Sequence, residues 1–122
     1  MKYIKTFESH YEKTGWVLRD GTKLTIHDVN DYLDSNNIDI VNIPVDDIKN
    51  LCIATDVKRS EDSDLSYPII ITTKNGEYGM LLDGHHRLLK AINNNIVNIK
   101  SRVLELSDAP IEYKNLFKFF KK

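Results

Sequence analysis

Residues 78–93 read YGMLLDGHHRLLKAIN, and this stretch decides the expected fold. The apolar run before Asp83 predicts a strand, whereas Leu88 and Ile92 mark one stripe of a helix. Gly84 lies between them, where the backbone turns sharply. The first amides of a helix lack partners within it and carry the positive end of its dipole, so strand, turn and helix together predict an anion site.

The first turn of that helix carries three potential cations, His85, His86 and Arg87. A cation at this end of a helix costs about 0.3–1 kcal/mol, and Asp or Glu is usual there. A bound anion would offset the cost, because Arg87 offers a planar fork for phosphate oxygens and the histidines offer further donors. We therefore predict that Gly84, His85, His86 and Arg87 bind a phosphate group.

A purely structural interpretation of the same turn stays open. Asp83 is able to cap the helix, and Arg87 to pair with a nearby carboxylate. His85 lies in line with Leu88, as a half-buried core histidine would, whereas His86 projects about 100° away, toward solvent or ligand. Adjacent helical side chains diverge, so the two histidines predict no metal site.

The clearest pattern of the chain lies just before this stretch. Residues 67–73 have the composition of a strand, Asn75-Gly76 is typical of a two-residue hairpin turn, and residues 78–82 form the partner strand. The three isoleucines at 69–71 show no alternation with polar residues, so we expect both faces of this strand to be covered.

Strands and helices alternate along the rest of the chain. We expect a strand at 38–43 ended by Pro44, a short helical turn at 45–51, a solvated loop at 54–66, a strand at 96–104 and a last helix capped by Ser107. The inward residues are expected to be Val97, Ile99 and Val103 on that strand and Tyr113, Leu116, Phe117 and Phe120 on that helix. This order predicts a single compact α/β (α+β) domain, a mixed sheet with flanking helices.

The N-terminal part, residues 1–37, differs in character from residues 38–122. Apolar residues on either side of Asp20-Gly21 predict a small hairpin. Thr25 and Asp28 resemble a capping box, which predicts a short helix directly after them. We expect this N-terminal extension to pack on the core formed by 38–122.

Charge and cysteine content narrow the class of protein. The 122 residues include 17 basic and 18 acidic side chains, a net charge of −1, which argues against strong DNA binding. No apolar run approaches the ~20 residues that cross a bilayer, so we expect no membrane association. Cys52 is the only cysteine, which excludes an internal disulfide and favours a reducing, cytoplasmic location.

Four segments of the chain resemble the ParB/sulfiredoxin superfamily across residues 42–106, roughly half the chain. They are Ile43-Pro44-Val45-Asp46-Asp47-Ile48, Pro68-Ile69-Ile70, Leu82-Asp83-Gly84-His85-His86-Arg87-Leu88 and Val97-Asn98-Ile99-Lys100. In that family a Gly-x-x-Arg turn between strand and helix grips nucleotide phosphates. The resemblance implies a ParB/sulfiredoxin-like fold and a nucleoside di- or triphosphate as the ligand.

The branches of this superfamily differ at the same turn. Sulfiredoxins have a catalytic Cys where this chain has His85, which excludes sulfinic acid reduction. The chromosome-partitioning branch has Gly-Glu-Arg-Arg there and a DNA-reading helix-turn-helix afterwards, which we do not expect in this chain.

The motif Asp-Gly-His-His-Arg at 83–87 is similar to that of the free serine kinases of the superfamily, which phosphorylate L-serine with a nucleotide donor. This similarity implies a phosphotransferase (kinase) or nucleotidase, with serine or another small hydroxyl compound as acceptor and Mg²⁺ as a candidate cofactor. Asp83 would lie beside the transferred group. Those kinases use a Glu soon after the first strand as general base, and the candidates here are Asp46, Asp47, Asp56 and Glu61. We predict Asp83 and then Asp56 as the catalytic carboxylates.

Two other classes of function stay open. The first is a non-enzymatic adaptor whose aromatic C-terminal helix docks a protein partner. The second is a nucleic-acid-binding or nuclease-like protein, which the net charge disfavours.

Overall fold

Two sheets and five α-helices make up the structure, a computed structural model that describes residues 4–7, 15–18, 21 and 23–117. The strands are β1 (Ile4–Phe7), β2 (Gly15–Leu18), β3 (Lys23–Thr25), β4 (Val41–Pro44), β5 (Ile69–Lys74), β6 (Glu77–Asp83) and β7 (Asn98–Glu105). The helices are α1 (Ile26–Ser35), α2 (Val45–Ile48), α3 (Val57–Glu61), α4 (His85–Asn93) and α5 (Ile111–Phe117), with a 3₁₀ turn at Lys49–Leu51. The expected α+β class is confirmed.

The larger sheet has the strand order β4-β7-β5-β6. β5 runs parallel to β7, while β4–β7 and β5–β6 are antiparallel, so the expected mixed sheet is also confirmed. The β5–β6 hairpin turns at Asn75 and Gly76, both with positive φ, as this dipeptide predicts. β6 is an edge strand of this sheet, and its last residues lead directly into α4.

Both faces of the larger sheet are covered, which explains the unbroken run of isoleucines on β5. Ile69 and Ile71 face a cluster that includes Leu88 and Ala91 of α4. Ile70 faces the opposite way, into a cluster that includes Trp16 of β2 and residues of α1 and α5. The prediction that this strand is covered on both sides is therefore confirmed.

The N-terminal elements form a second, three-stranded antiparallel sheet and a helix. The predicted hairpin is β2–β3, and β1, which the sequence did not predict, adds the third strand. Thr25 and Asp28 form the predicted capping box at the start of α1. These elements share one cluster of buried residues with Ile70, Leu82 and Leu104 of the larger sheet. The division at residue 37 stays a prediction.

Where α1 ends, the predicted strand at 38–43 is wrong at its first residues. The backbone N–H of Ile38 donates to the Leu33 carbonyl at 3.0 Å, and Asn37 has a φ of 56°. The chain is thus still closing the end of the helix at these positions, and the strand runs over Val41–Pro44 instead.

The segment at 54–66 is not the solvated loop that its charges suggested. Asp56 caps α3 by accepting the backbone N–H of Arg59 at 3.0 Å, and Ser60 is fully buried. A short helix with few apolar residues forms here because one side-chain cap and one small buried residue replace an apolar face.

Two details near the C-terminal end also differ from expectation. Val97 lies outside β7 and is 74% exposed, whereas Ser101 and Leu104 of this strand are buried and Val103 is partly buried. Ser107 does not cap α5, because its hydroxyl donates to Glu105 and the helix begins after Pro110. Tyr113 and Phe117 are buried as expected, while the packing predicted for Leu116 and Phe120 lies outside the described side chains.

Candidate functional site

The turn from β6 into α4 is built on Gly84. Its φ is 100°, a left-handed conformation, and a Cβ on it would lie 2.5 Å from Cγ2 of Ile69 and 3.2 Å from Nε of Arg87. Both the backbone conformation and the close approach of β5 require glycine here. The glycine is therefore explained by the fold itself, without a ligand.

An open cavity of about 520 Å³ lies against this turn. It is lined by residues of β2, of β6 and α4, and of the segment 53–64: Trp16, Ile53, Ala54, Arg59, Ser63, Asp64, Met80, Leu81, Leu82, Asp83, Gly84, His85, His86 and Arg87. Five of the six predicted site residues are thus brought together. The sixth, Asp56, is not among the lining residues.

Asp83 and Arg87 form an ion pair at the N-terminus of α4. Nη2 of Arg87 donates to Oδ2 of Asp83 at 3.0 Å, and the two side chains, Arg87 and Asp83, are 18% and 34% exposed. Asp83 is not the N-cap of α4. That position belongs to Gly84, which has no side chain to cap the helix. Asp83 therefore orients the guanidinium, whose remaining N–H groups are not used by this pair.

The ring of His85 is engaged with the protein on both sides. Its Nδ1 accepts the backbone N–H of Ile53 at 3.3 Å, and the ring also hydrogen-bonds the backbone of Leu81. Burial lowers the pKa of His85, although the Leu81 contact and the charge of Asp83 act in the opposite direction. A neutral ring with its proton on Nε2 lets Nδ1 accept the Ile53 N–H, and this contact ties His85 to the segment that forms part of the cavity wall.

The segment 52–64, which supplies part of the cavity lining, is held by hydrogen bonds to α4. Cys52 Sγ donates to the His85 carbonyl at 3.4 Å, and Lys90 Nζ donates to the Ser63 carbonyl at 2.7 Å. Through α3 this segment places Arg59 on the cavity wall, and Asp56 caps that helix. Arg59 is a site residue that sequence reasoning missed, although an N-cap Asp at 56 was a readable signal.

Asp64 is the second acidic residue on the cavity wall. A side-chain hydrogen bond from Ser66, together with the Ser66 backbone N–H, lowers the pKa of Asp64, and the positive charges of Lys90 and Arg87 add to this effect. Asp64 therefore stays ionised at neutral pH and balances part of the positive charge in the cavity.

Trp16 is another residue of this wall that sequence reasoning missed. It is 1% exposed and meets the ring of Phe117 edge to face, with the ring centroids 5.2 Å apart. Its indole Nε1 is buried and has no hydrogen-bond partner, as is also true of Nε in Arg87 and Arg102 within the described part of the chain. The signal in the sequence was that this is the chain's single Trp, placed beside a turn.

Within the described ranges, no group of three His, Cys, Asp or Glu residues is placed to hold a metal ion. Nor does any helix within those ranges have the length and apolar character to cross a membrane. Comparison of the chain with protein-family models, with curated proteins and with solved structures finds no match.

Proposed function

We propose that this cavity binds the phosphate groups of a nucleoside di- or triphosphate. The observation that carries the proposal is the convergence of three kinds of anion-binding group on one wall. These are the first turn of α4, which no side chain caps, the guanidinium of Arg87 and the side chain of His86. Arg59 faces them from α3.

The size and lining of the cavity favour a whole nucleotide. A volume of about 520 Å³ falls within the roughly 300–1,000 Å³ that small-molecule sites occupy. Beside its charged groups the cavity is lined by Ile53, Met80, Leu81 and Leu82, which suit a base and sugar better than water. The sequence resemblance to a nucleotide-binding superfamily agrees with this choice.

The charges in the cavity require Arg87 to serve two partners. Arg59 and Arg87 face Asp64 and Asp83, so the wall carries no large surplus of positive charge. Only one contact of Arg87, through Nη2, goes to Asp83, and a guanidinium carries five N–H donors. In the proposed complex Asp83 orients Arg87 while the remaining donors hold phosphate oxygens.

Phosphoryl transfer or nucleotide hydrolysis is the activity that such a complex would support. Asp83 lines the same cavity as the anion-binding groups, and in the proposed complex its carboxylate would face an attacking hydroxyl such as that of serine. Mg²⁺ fits as an ion carried by the nucleotide's own phosphates, with Asp83 and Asp64 as the carboxylates in the cavity. Bound there, Mg²⁺ would neutralise charge on the phosphates.

Isothermal titration with ATP, ADP and tripolyphosphate, with and without Mg²⁺, tests the proposal. We expect wild type to bind ATP and tripolyphosphate and Arg87→Gln to bind both at least tenfold more weakly, about 1.4 kcal/mol. Arg102→Gln is the matched control, because Arg102 also pairs with an aspartate, Asp34 at 2.7 Å, but does not line the cavity. The proposal is wrong if wild type binds none of these ligands at millimolar concentration, or if both variants bind them equally.

A further inference from the structure

β4 lies at one edge of the larger sheet, and its outer side is open. β7 pairs with it on one side, and no described strand pairs with it on the other. Val41 is 44% exposed, and Ile40, just before the strand, is 53% exposed. Asn42 and Pro44 are exposed as well. An open edge strand presents unpaired backbone N–H and C=O groups, which form a template for pairing with another strand.

The two edges of this sheet differ in how well they resist such pairing. β6, the other edge, has two irregularities in its register with β5 and begins at the charged residue Glu77. Bulges and charges are common protections of an edge strand. β4 has neither, because its register with β7 is regular and residues 40–45 read IVNIPV, six residues without a charge. The less protected edge is therefore β4.

The hydrogen-bond register shows which backbone groups of β4 face outward. Val45 donates its backbone N–H to the carbonyl of Val97, the residue directly before β7, at 2.8 Å. In an antiparallel pair the residues whose backbone groups bond the neighbouring strand alternate with residues whose groups face away. The backbone groups of Pro44, Asn42 and Ile40 therefore face outward. Since proline has no N–H, this outward row has two donors and three acceptors.

This row is complementary to itself when two copies pair antiparallel about Asn42. The two Asn42 residues then lie opposite each other and exchange both backbone hydrogen bonds. Each Ile40 N–H donates to the Pro44 carbonyl of the other copy, so every outward donor has an acceptor although Pro44 supplies no N–H. No like charges are opposed within residues 40–44, and the two Asn42 side-chain amides are able to hydrogen-bond each other.

We propose that two copies of this chain associate through β4, which joins their larger sheets into one continuous sheet with a two-fold axis at Asn42. The exposed side chains of Ile40 and Val41 lose contact with water in this dimer, and their burial adds to the backbone pairing. A strand of four residues provides a small interface, so the dimer is weak, with a Kd of roughly 10–500 µM. None of residues 40–45 lines the cavity, so association does not depend on the proposed function.

Sedimentation velocity of the whole chain, from about 10 µM to about 1 mM, measures this association. We expect wild type to shift from monomer to dimer over this range. Asn42→Lys should weaken the dimer at least tenfold, because two ammonium groups then face each other across the axis. Tyr78→Lys is the matched control, since Tyr78 is 38% exposed on β6, the other edge, and it should change the Kd less than about twofold. A wild type that stays monomeric at about 1 mM overturns the proposal.

A pair of opposite charges tests the two-fold axis itself. Asn42→Asp alone should also weaken the dimer, whereas an equimolar mixture of Asn42→Lys and Asn42→Asp should associate at least tenfold more tightly than either variant alone. Circular dichroism and thermal unfolding of the separate variants verify that both are folded. Equal effects of Asn42→Lys and Tyr78→Lys, or a mixture that associates no better than its components, would show that β4 is not the interface.

Discussion

The backbone N–H of Ile53 donates to Nδ1 of His85 at 3.3 Å, and this contact joins the cavity wall to the first residue of α4. Burial holds the pKa of His85 below its usual value of about 6.5. The folded protein thus prefers the neutral ring, because a protonated Nδ1 no longer accepts this hydrogen bond.

Stability should therefore fall in mild acid. A histidine with a lowered pKa in the fold contributes stability that is fully present above its unfolded pKa, near 6.5, and is lost as the pH falls through the folded pKa. Urea unfolding at pH values from 8 to 5 measures this loss. His85→Gln should remove that part of the pH dependence, whereas His86→Gln, the matched control, should keep it. Equal profiles for the two variants would show that His85 is not the group responsible.

Gly84→Ala should destabilise the fold by about 2–4 kcal/mol, because the new Cβ meets Ile69 at 2.5 Å and the φ of 100° is strained for alanine. Gly76→Ala is the matched control: its φ is 85°, but nothing lies within 4 Å of the position that its Cβ would take, so only about 1 kcal/mol of backbone strain is expected. Chemical denaturation of both variants gives the comparison. A cost at Gly84 no larger than at Gly76 would contradict the close contact with β5.

The ionised carboxylate of Glu105 should stabilise the β5–β6 turn at neutral pH. Partial burial raises the pKa of Glu105, but hydrogen bonds from Ser107, Thr73 and the Asn75 backbone outweigh it and lower the pKa to about 2. The stabilisation is present above the unfolded pKa, near 4.5, and disappears as the pH falls toward 2.

The variant Glu105→Gln should accordingly cost about 1 kcal/mol at pH 7, a value reduced for the solvent exposure of this site, and clearly less at pH 2.5, where most of the stabilisation is already lost. Unfolding free energies at the two pH values measure the difference. Glu112→Gln, on the exposed first turn of α5, is the control and should show little change at either pH. A cost for Glu105→Gln that persists unchanged at pH 2.5 would rule out the ionised carboxylate as its source.

Turnover, if the proposed activity is correct, should depend on Asp83 and not on Asp56. Asp83 lines the cavity and holds Arg87, whereas Asp56 caps α3, a role that Asn fills equally well. Nucleotide hydrolysis and serine phosphorylation are measured for wild type, Asp83→Asn and Asp56→Asn. We expect at least a roughly 100-fold loss in Asp83→Asn and less than about a twofold change in Asp56→Asn.

Two results of these assays would redirect the interpretation. Unchanged turnover in Asp83→Asn would refute its catalytic assignment. No turnover by wild type, despite a clear thermal shift with nucleotide, would favour the adaptor. Ligand at 100 times its dissociation constant stabilises by about 2.7 kcal/mol, or about 10 °C for a chain of this size.

Local patterns in the sequence determined those features that depend on residues a few positions apart. The Asn75-Gly76 turn and the Thr25–Asp28 capping box are set by backbone conformation and by hydrogen bonds within four residues. Such interactions involve residues that are close together in the chain before it folds, so all their partners are visible in the sequence.

Only the tertiary structure decided which distant groups share the cavity. Trp16 and Arg59 line the cavity from elements that are more than 20 residues away from α4 in sequence. No local sequence pattern predicts that these two residues lie near α4. His85 and Asp83 were predicted as site residues, but only the folded structure shows that His85 accepts the Ile53 N–H and that Asp83 accepts a hydrogen bond from Arg87. A side chain's partners depend on which surfaces pack together, and that packing is determined by the burial of apolar faces across the whole chain.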